Sequence, residues 1–293
     1  MAGFKIAAFP KCYIEDIVAE KMSLFDWIEM SLELEPEGLE LYALFLKSHD
    51  EAYLKEVRTR IEGHGLKMPM MCYSPDLTIP DPQTRKEEVE KQKEMIRVTA
   101  ALGGEFCRVL SGQRRPEVSV GDGVDWVVES IEACLPTAEE SKVDLVIENH
   151  YKDTFWKYPE FAQKKDVFMQ IVNRIDSSHF GVQYDPSNAT VAGDDPLDLL
   201  AATKDRIKTV HASDRFLKEG TRLDDLRESD GTIGYSDKLL HGVTGKGIND
   251  YDAILSTLKE MNFSSWISIE DGMDGLDEMK ESIDFLKAMR DKY

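Results

Sequence analysis

The sequence predicts a (β/α)8 barrel, and three observations carry the prediction. Short apolar runs alternate with amphipathic helical stretches from one end of the chain to the other. The 293 residues divide into eight such units of roughly 37 residues each, close to the usual size of this fold. Four of the later runs stop on a metal-capable side chain: Val-Ile-Glu148-Asn-His150, Gln-Tyr-Asp185-Pro, Thr-Val-His211-Ala-Ser-Asp and Ser-Ile-Glu270-Asp-Gly. In a parallel barrel the carboxyl ends of the strands open onto one face, and that face carries the chemistry.

The elements come in order. Phe4–Phe9 reads as the first strand. Ile14–Met30 has helical spacing through Ile17, Leu24, Phe25 and Ile28, and the helix is expected to run on toward Glu35. Pro36-Glu-Gly turns the chain into a second strand, Leu39–Tyr42. Asp50–Glu62 is helical and stops at Gly63-His64-Gly65. Leu66–Tyr73 reads as strand three, a proline-rich loop comes next, and Gln83–Leu102 is a charged amphipathic helix ended by two glycines. Phe106–Leu110 is strand four, Asp125–Ser141 its helix, and Val143–Ile147 strand five. Pro159–Ile175 is expected to be helical, with proline near the first turn. Phe180–Tyr184, Pro196–Thr203 and Ile207–Val210 give strand six, a short helix and strand seven. A glycine-rich segment from Ala212 to Asn249 is too long for an ordinary connection and reads as a lid or binding loop. Tyr251–Met261, Trp266–Ile269 and Leu276–Met289 complete the last unit. No linker or composition break divides the chain, so residues 1–293 are expected to form one domain. An open doubly wound sheet is the weaker alternative, since no Gly-x-Gly-x-x-Gly succeeds strand one.

Composition narrows the function. The formal net charge is −20, from 56 acidic and 36 basic residues. Such a field repels phosphate backbones, so no nucleic-acid partner is expected. The four cysteines show no Cys-x-x-Cys pairing and sit in apolar runs, as reduced thiols of a cytoplasmic protein would. The amino terminus lacks the features of a signal peptide, and no apolar stretch is long enough to span a bilayer.

Glu148, Asp185, His211 and Glu270 would supply three carboxylates and one imidazole. A lone glutamate at a strand end is usually a solvated rim residue, but four such ends together point to a metal centre. The hard, oxygen-rich set suits a divalent ion, Mn²⁺ first, with Mg²⁺, Co²⁺ or Fe²⁺ as alternatives, over a thiolate zinc site. Its expected job is Lewis-acid stabilisation of substrate oxygens. His150 lies two residues beyond Glu148, so strand alternation puts both on one face. It is the candidate base, because an imidazole titrates near working pH. His64 and His179 read as structural, and His49 as a marginal rim residue. The segment His241-Gly-Val-Thr-Gly-Lys246-Gly is a candidate substrate contact, as are Asp214 and Arg215 just past His211, and Asn188 just past Asp185.

These strand ends resemble the xylose isomerase-like barrel superfamily, which includes sugar isomerases, ketose 3-epimerases, inosose dehydratases and endonuclease IV. That resemblance implies Glu, Asp, His and Glu ligands on strands five to eight, matching Glu148, Asp185, His211 and Glu270. Ketose epimerases usually carry Asp-x-x-His, whereas this chain has Asp185-Pro-Ser-Asn188. Endonuclease IV uses many histidine ligands, and this chain has six histidines in all. The strings Ile147-Glu-Asn-His-Tyr-Lys-Asp, Tyr184-Asp-Pro-Ser-Asn-Ala, Val210-His-Ala-Ser-Asp-Arg, His241-Gly-Val-Thr-Gly-Lys-Gly and Ile267-Ser-Ile-Glu-Asp-Gly are most similar to the catalytic α-subunit of bacterial C-glycoside deglycosidases. The resemblance implies a 3-oxo-glycoside substrate, metal at the four ligands, and His150 as the base at C2. It also implies an oligomeric assembly with a small β-sandwich partner subunit. A metal-dependent keto-sugar epimerase or isomerase is the alternative, and a non-enzymatic sugar-binding barrel is a distant third.

Overall fold

The computed structural model describes residues 3–153, 155–222, 225 and 238–293. The strands that build the ring are β1 (Lys5–Ala8), β2 (Gly38–Leu39), β3 (Leu41–Tyr42), β4 (Met70–Cys72), β5 (Phe106–Val109), β6 (Asp144–Glu148), β7 (Phe180–Tyr184), β8 (Ile207–Ala212) and β11 (Trp266–Ile269). They form one parallel sheet in the order β2-β1-β11-β8-β7-β6-β5-β4-β3. Its two ends, β2 and β3, are halves of one strand on either side of Glu40: Gly38 and Leu39 pair with β1, and Leu41 and Tyr42 with β4. The sheet therefore closes on itself, and with β2 and β3 taken together it is the eight-stranded barrel that the alternation predicts.

Every residue of β7 and β11 is buried, as both faces of a barrel strand must be. The apolar core runs through the barrel and out to its surrounding helices, from Ile6 and Leu41 to Ile254 and Leu286. Those helices include α3 (Glu51–Gly63), α4 (Pro82–Ala101), α5 (Val120–Ser141), α6 (Lys165–Val172), α8 (Pro196–Thr203), α9 (Tyr251–Glu260) and α10 (Leu276–Lys292). Their starts reflect local chemistry. Asp81 accepts from Thr84 N at 2.8 Å with Pro82 at the first position of α4, and Asp250 caps α9 through Ala253 N. All four cysteines are free, and Cys72, Cys107 and Cys134 are buried. Among the described residues no helix is long and apolar enough to cross a membrane.

Several stretches depart from the sequence expectation. The helix expected from Ile14 is two, α1 (Ile14–Val18) and α2 (Leu24–Met30), and α2 runs out into a 3-10 turn at Ser31–Leu34. Glu20 takes a left-handed φ of 55°, and Ser23 with Asp26 forms a capping box that starts α2 afresh. Residues 159–164, expected in the helix now confined to α6, are loop. Their N–H groups are taken from outside: Glu160 donates to Tyr151 O at 2.8 Å, Phe161 to Gly112 O at 2.7 Å and Ala162 to Ser111 Oγ at 3.0 Å. The segment after strand seven, expected to be loop, contains an antiparallel hairpin of β9 (Asp214–Leu217) and β10 (Leu239–Gly242), with His241 opposite Arg215. Residues 223–224 and 226–237 of that segment lie outside the described residues.

Candidate metal centre and its cavity

Each predicted ligand stands where its strand ends. Glu148 is the last residue of β6. Asp185 comes directly after β7 and caps a short helix that the sequence pattern did not predict, α7 (Pro186–Ala192), by accepting from Asn188 N at 2.8 Å. Pro186 at the first helical position has no N–H to satisfy, which is why Asp-Pro-Ser-Asn turns a strand directly into a helix. Asn149, between Glu148 and His150, grips the backbone of Asp185, donating to its carbonyl at 2.7 Å and accepting from its N–H at 2.8 Å. His211 lies in β8 beside Ser268, and Glu270 comes directly after β11. One ligand atom from each of Glu148, Asp185, His211 and Glu270 lies within 4.8 Å of the others, and all four side chains are buried.

His211 has two distinct sides. Its Nδ1 faces Glu148 Oε1 at 3.1 Å and Glu270 Oε2 at 3.5 Å, while Nε2 meets Glu40 Oε1 at 2.6 Å. Cys72 donates to the same Glu40 oxygen at 2.8 Å. Asp185 is held by Ser213, whose hydroxyl lies 2.9 Å from both carboxylate oxygens. Asn188 Nδ2 donates to Glu148 Oε1 at 3.2 Å, so it braces a ligand and does not face the cavity.

Two cations flank the cluster. Arg108 Nη1 lies 2.6 Å from Glu148 Oε2, and its other nitrogens reach Ser74 Oγ and Tyr73 O. Lys11 Nζ lies 3.0 Å from Glu270 Oε1. Burial works against ionisation of both carboxylates, but the charges of His211 and Arg108 outweigh it at Glu148 and hold its pKa at about 2. Lys11 and His211 do the same at Glu270, well below the usual range. Asp185 has no such cation; burial and the nearby Glu270 and Glu148 charges raise it to about 6. Burial would lower His211, but Glu40, Glu148 and Glu270 overcome that and raise it well above an ordinary imidazole. Glu148 and Glu270 each face a directly paired cation, and Asp185 faces none. With one imidazole and only hard oxygens beside it, the donor set fits a divalent ion such as Mn²⁺ or Mg²⁺.

Above the cluster opens a cavity of about 380 Å³, with Glu270, Lys11 and Arg108 in its walls. His150 lines it and is otherwise buried, stacked on Tyr151 with ring centroids 5.6 Å apart. Tyr42 donates to Asp153 at 3.3 Å on one side, and Phe9, Phe155 and Met273 give an apolar side. His241 also lines the cavity, and burial together with Arg215 and Lys11 pushes its pKa down to about 2. Arg215 sits behind, its guanidinium 5.4 Å from the Tyr151 ring centroid.

Of the five expected substrate contacts, His241 lines this cavity, and Asn188, Arg215, Asp214 and Lys246 do not. Asp214 is buried and turned inward, accepting N–H bonds from Arg215, Gly245, Gly247 and Asn249 at 2.9–3.1 Å. It folds the glycine-rich segment and does not reach the cavity. Lys246 is largely exposed and pairs with Glu281. His49 pairs with Glu94, away from the cavity, and His64 and His179 pair with Glu29 and Asp144 as structural residues. Sequence reasoning missed Lys11, Glu40, Arg108 and Glu160.

The sequence matches the profile of the xylose isomerase-like TIM barrel family over residues 21–289. No curated protein matches it. Solved structures share the fold. A xylose isomerase domain protein from Planctomyces limnophilus is 16% identical, with a TM-score of 0.73 over 99% of this chain and 98% of that one. The IOLI protein with a bound zinc atom is 18% identical, with a TM-score of 0.75 over 99% of both chains. The 3-keto-D-glucoside 4-epimerase YcjR from E. coli is 15% identical, with a TM-score of 0.70 over 98% of this chain and 99% of that one. At these identities the likeness is one of fold alone. The family match, which spans most of the chain, is what identifies it: it belongs to the xylose isomerase-like TIM barrel family.

Proposed function

We propose that this chain is the catalytic subunit of a divalent-metal-dependent lyase that cleaves the aglycone from 3-oxo-C-glucosides. The observation that carries the reading is the placement of His150. It lines the cavity two residues beyond Glu148, yet it stands outside the four-ligand cluster and is not needed as a ligand. That is the arrangement a separate proton acceptor requires. A fold neighbour described as a 3-keto-D-glucoside 4-epimerase supports a substrate of this oxidation state for the architecture.

Glu148, Asp185, His211 and Glu270 would hold the ion, which when bound supplies Lewis-acid polarisation of the substrate's carbonyl. His150 removes the proton from C2, α to the carbonyl at C3, and the C2–H pair enters an enolate. The enolate collapses to re-form the C3 carbonyl, a C1=C2 double bond forms, and the C1–aglycone bond breaks. Its electron pair leaves with the aglycone carbon, which takes up a proton. An ordinary glycosidase has no oxygen to protonate at a C–C linkage. His241 stays neutral through the working range and offers a hydrogen bond to a sugar hydroxyl. Phe9, Phe155 and Met273 give an aromatic aglycone an apolar wall.

A keto-sugar epimerase would use Glu148 and Glu270 as proton shuttles. Both are ion-paired, Glu148 to the buried Arg108 and Glu270 to Lys11, which makes them weak bases and favours the lyase reading. The decisive experiment gives the Mn²⁺-loaded protein, with a small β-sandwich partner subunit where one co-purifies, a 3-oxo-C-glucoside and separately free ketoses. Aglycone release without ketose interconversion is expected; rapid epimerisation with no release would overturn the proposal.

A further inference from the structure

Among the described residues, two of the buried polar atoms near the cavity that have no hydrogen-bond partner face each other. They are His150 Nδ1 and Glu160 Oε2, 3.7 Å apart. Unpartnered buried polar atoms are uncommon and costly, so a facing pair of them calls for a reason. The rest of Glu160 is firmly placed. Its Oε1 accepts from Ser111 N at 2.6 Å and also from the Ser111 hydroxyl. That hydroxyl accepts in turn from Ala162 N. The Glu160 N–H is bonded to the carbonyl of Tyr151, the residue after His150. The next residue, Phe161, donates to Gly112 O, and Gly112 holds a φ of +109° where an added Cβ would strike Thr78 and Asp76. The loop is thus tied to the exits of both β5 and β6. Ser111 occupies one Glu160 oxygen and leaves the other for the imidazole. The His150 side chain lines the cavity, and Nε2 is the ring nitrogen that does not face Glu160.

We propose that Glu160 is the positioning residue of His150: its Oε2 holds the Nδ1 proton of the imidazole, which leaves Nε2 as the bare acceptor toward the substrate. The inference rests on the reading of His150 as the base, and it supplies what that reading lacks. A neutral imidazole carries one ring proton, and the hydrogen bond at one nitrogen decides which nitrogen can accept. A carboxylate accepts only, so Glu160 selects the Nδ1–H tautomer. No proton or electron is exchanged with Glu160 in the reaction. It keeps its position while Nε2 takes the substrate proton, and its charge then faces an imidazolium.

Glu160→Gln is nearly isosteric and inverts this logic. The amide oxygen can still serve Ser111, but the NH₂ then points at Nδ1 and places the ring proton on Nε2, where it blocks proton abstraction. The test uses the full-length chain labelled with ¹⁵N-histidine, loaded with Mg²⁺ to avoid paramagnetic broadening, at a pH of about 8.5 where an ordinary imidazole is neutral. Wild-type His150 should show Nδ1–H with unprotonated Nε2, and Glu160→Gln should show the reverse. In turnover of a 3-oxo-C-glucoside, kcat should fall by about 10²–10⁴-fold with KM little changed. Wild-type protein with its proton on Nε2, or a tautomer that does not respond to Glu160→Gln, overturns the proposal. Should Glu160→Gln fail to fold, the wild-type tautomer alone decides it. The underlying reading fails separately: full turnover by His150→Gln, with the tautomer still inverting in Glu160→Gln, removes His150 as the base and leaves Glu160 as its holder.

Discussion

Glu40 Oε1 lies 2.6 Å from His211 Nε2, on the opposite side of the ring from the carboxylates of Glu148 and Glu270. The contact turns Nδ1 toward the ligand cluster. A carboxylate behind a metal-binding imidazole fixes its orientation and raises its basicity. Glu40→Gln should therefore weaken Mn²⁺ binding about 10–100-fold with the fold intact by circular dichroism. Competition with a fluorescent chelator measures it, and an unchanged affinity would show that Glu40 serves only packing.

His150→Gln separates catalysis from binding. The side chain lies outside the ligand cluster, so the variant should keep a full complement of metal by mass spectrometry while turnover falls about 10²–10⁴-fold. Loss of metal together with activity would make His150 a ligand and remove it as the base.

Metal binding should depend on pH in a defined direction. Ligands must shed their protons to bind. Asp185, raised to about 6 by burial and by the charges of Glu270 and Glu148, becomes protonated as pH falls through that value. Mn²⁺ affinity should therefore drop on acidification through about pH 6. His211, raised well above an ordinary imidazole, should release a proton on binding at neutral pH. Calorimetric titrations in buffers of different ionisation enthalpy report both effects. Equal affinity at pH 5.5 and 7.5, with no proton release, would contradict the ligand assignment.

Arg108→Met removes one side of a fully buried ion pair and leaves Glu148 with His211 alone as its facing cation. The metal-free protein should lose about 3–5 kcal/mol in urea unfolding. A bound cation would take over part of the neutralising role, so Mn²⁺ should recover much of that loss. An unshifted midpoint without metal would argue that water reaches Glu148.

The corrected roles of Asp214 and Lys246 separate cleanly. Asp214→Ala frees four backbone N–H groups and should cost about 2–3 kcal/mol, with faster proteolysis near residues 242–250. Lys246→Ala breaks only an exposed pair and should move stability by less than about 1 kcal/mol, with KM for the 3-oxo-C-glucoside unchanged.

The gathering of Glu148, Asp185, His211 and Glu270 was legible because each ends a β-branched run, and the barrel places all such ends on one face. The partners that tune them were not. Glu40 and Arg108 stand inside apolar runs, Leu-Glu-Leu-Tyr and Phe-Cys-Arg-Val, and a charge there looks like a flaw in a strand. The signal was present: a charge in a strand buried on both faces must have a buried partner. Lys11 and Glu160 gave no such sign, since each reaches its partner across a loop whose path depends on contacts far away in sequence. Asp214 misled for a related reason. A polar residue just past a ligand can face the pocket or tie down the next stretch of chain, and four backbone donors claimed it for the second task.

Strand two changes partners at Glu40, the residue that also backs His211. The stitch that closes the ring and the brace behind the imidazole are thus one amino acid. Recombining this family's barrels by exchanging their first quarter would import a foreign brace along with the foreign strand. A chimera joined after residue 42 could close its ring and still present His211 at the wrong angle. Joining before residue 38 keeps Glu40 in the same piece as His211, and that is where a crossover should be placed.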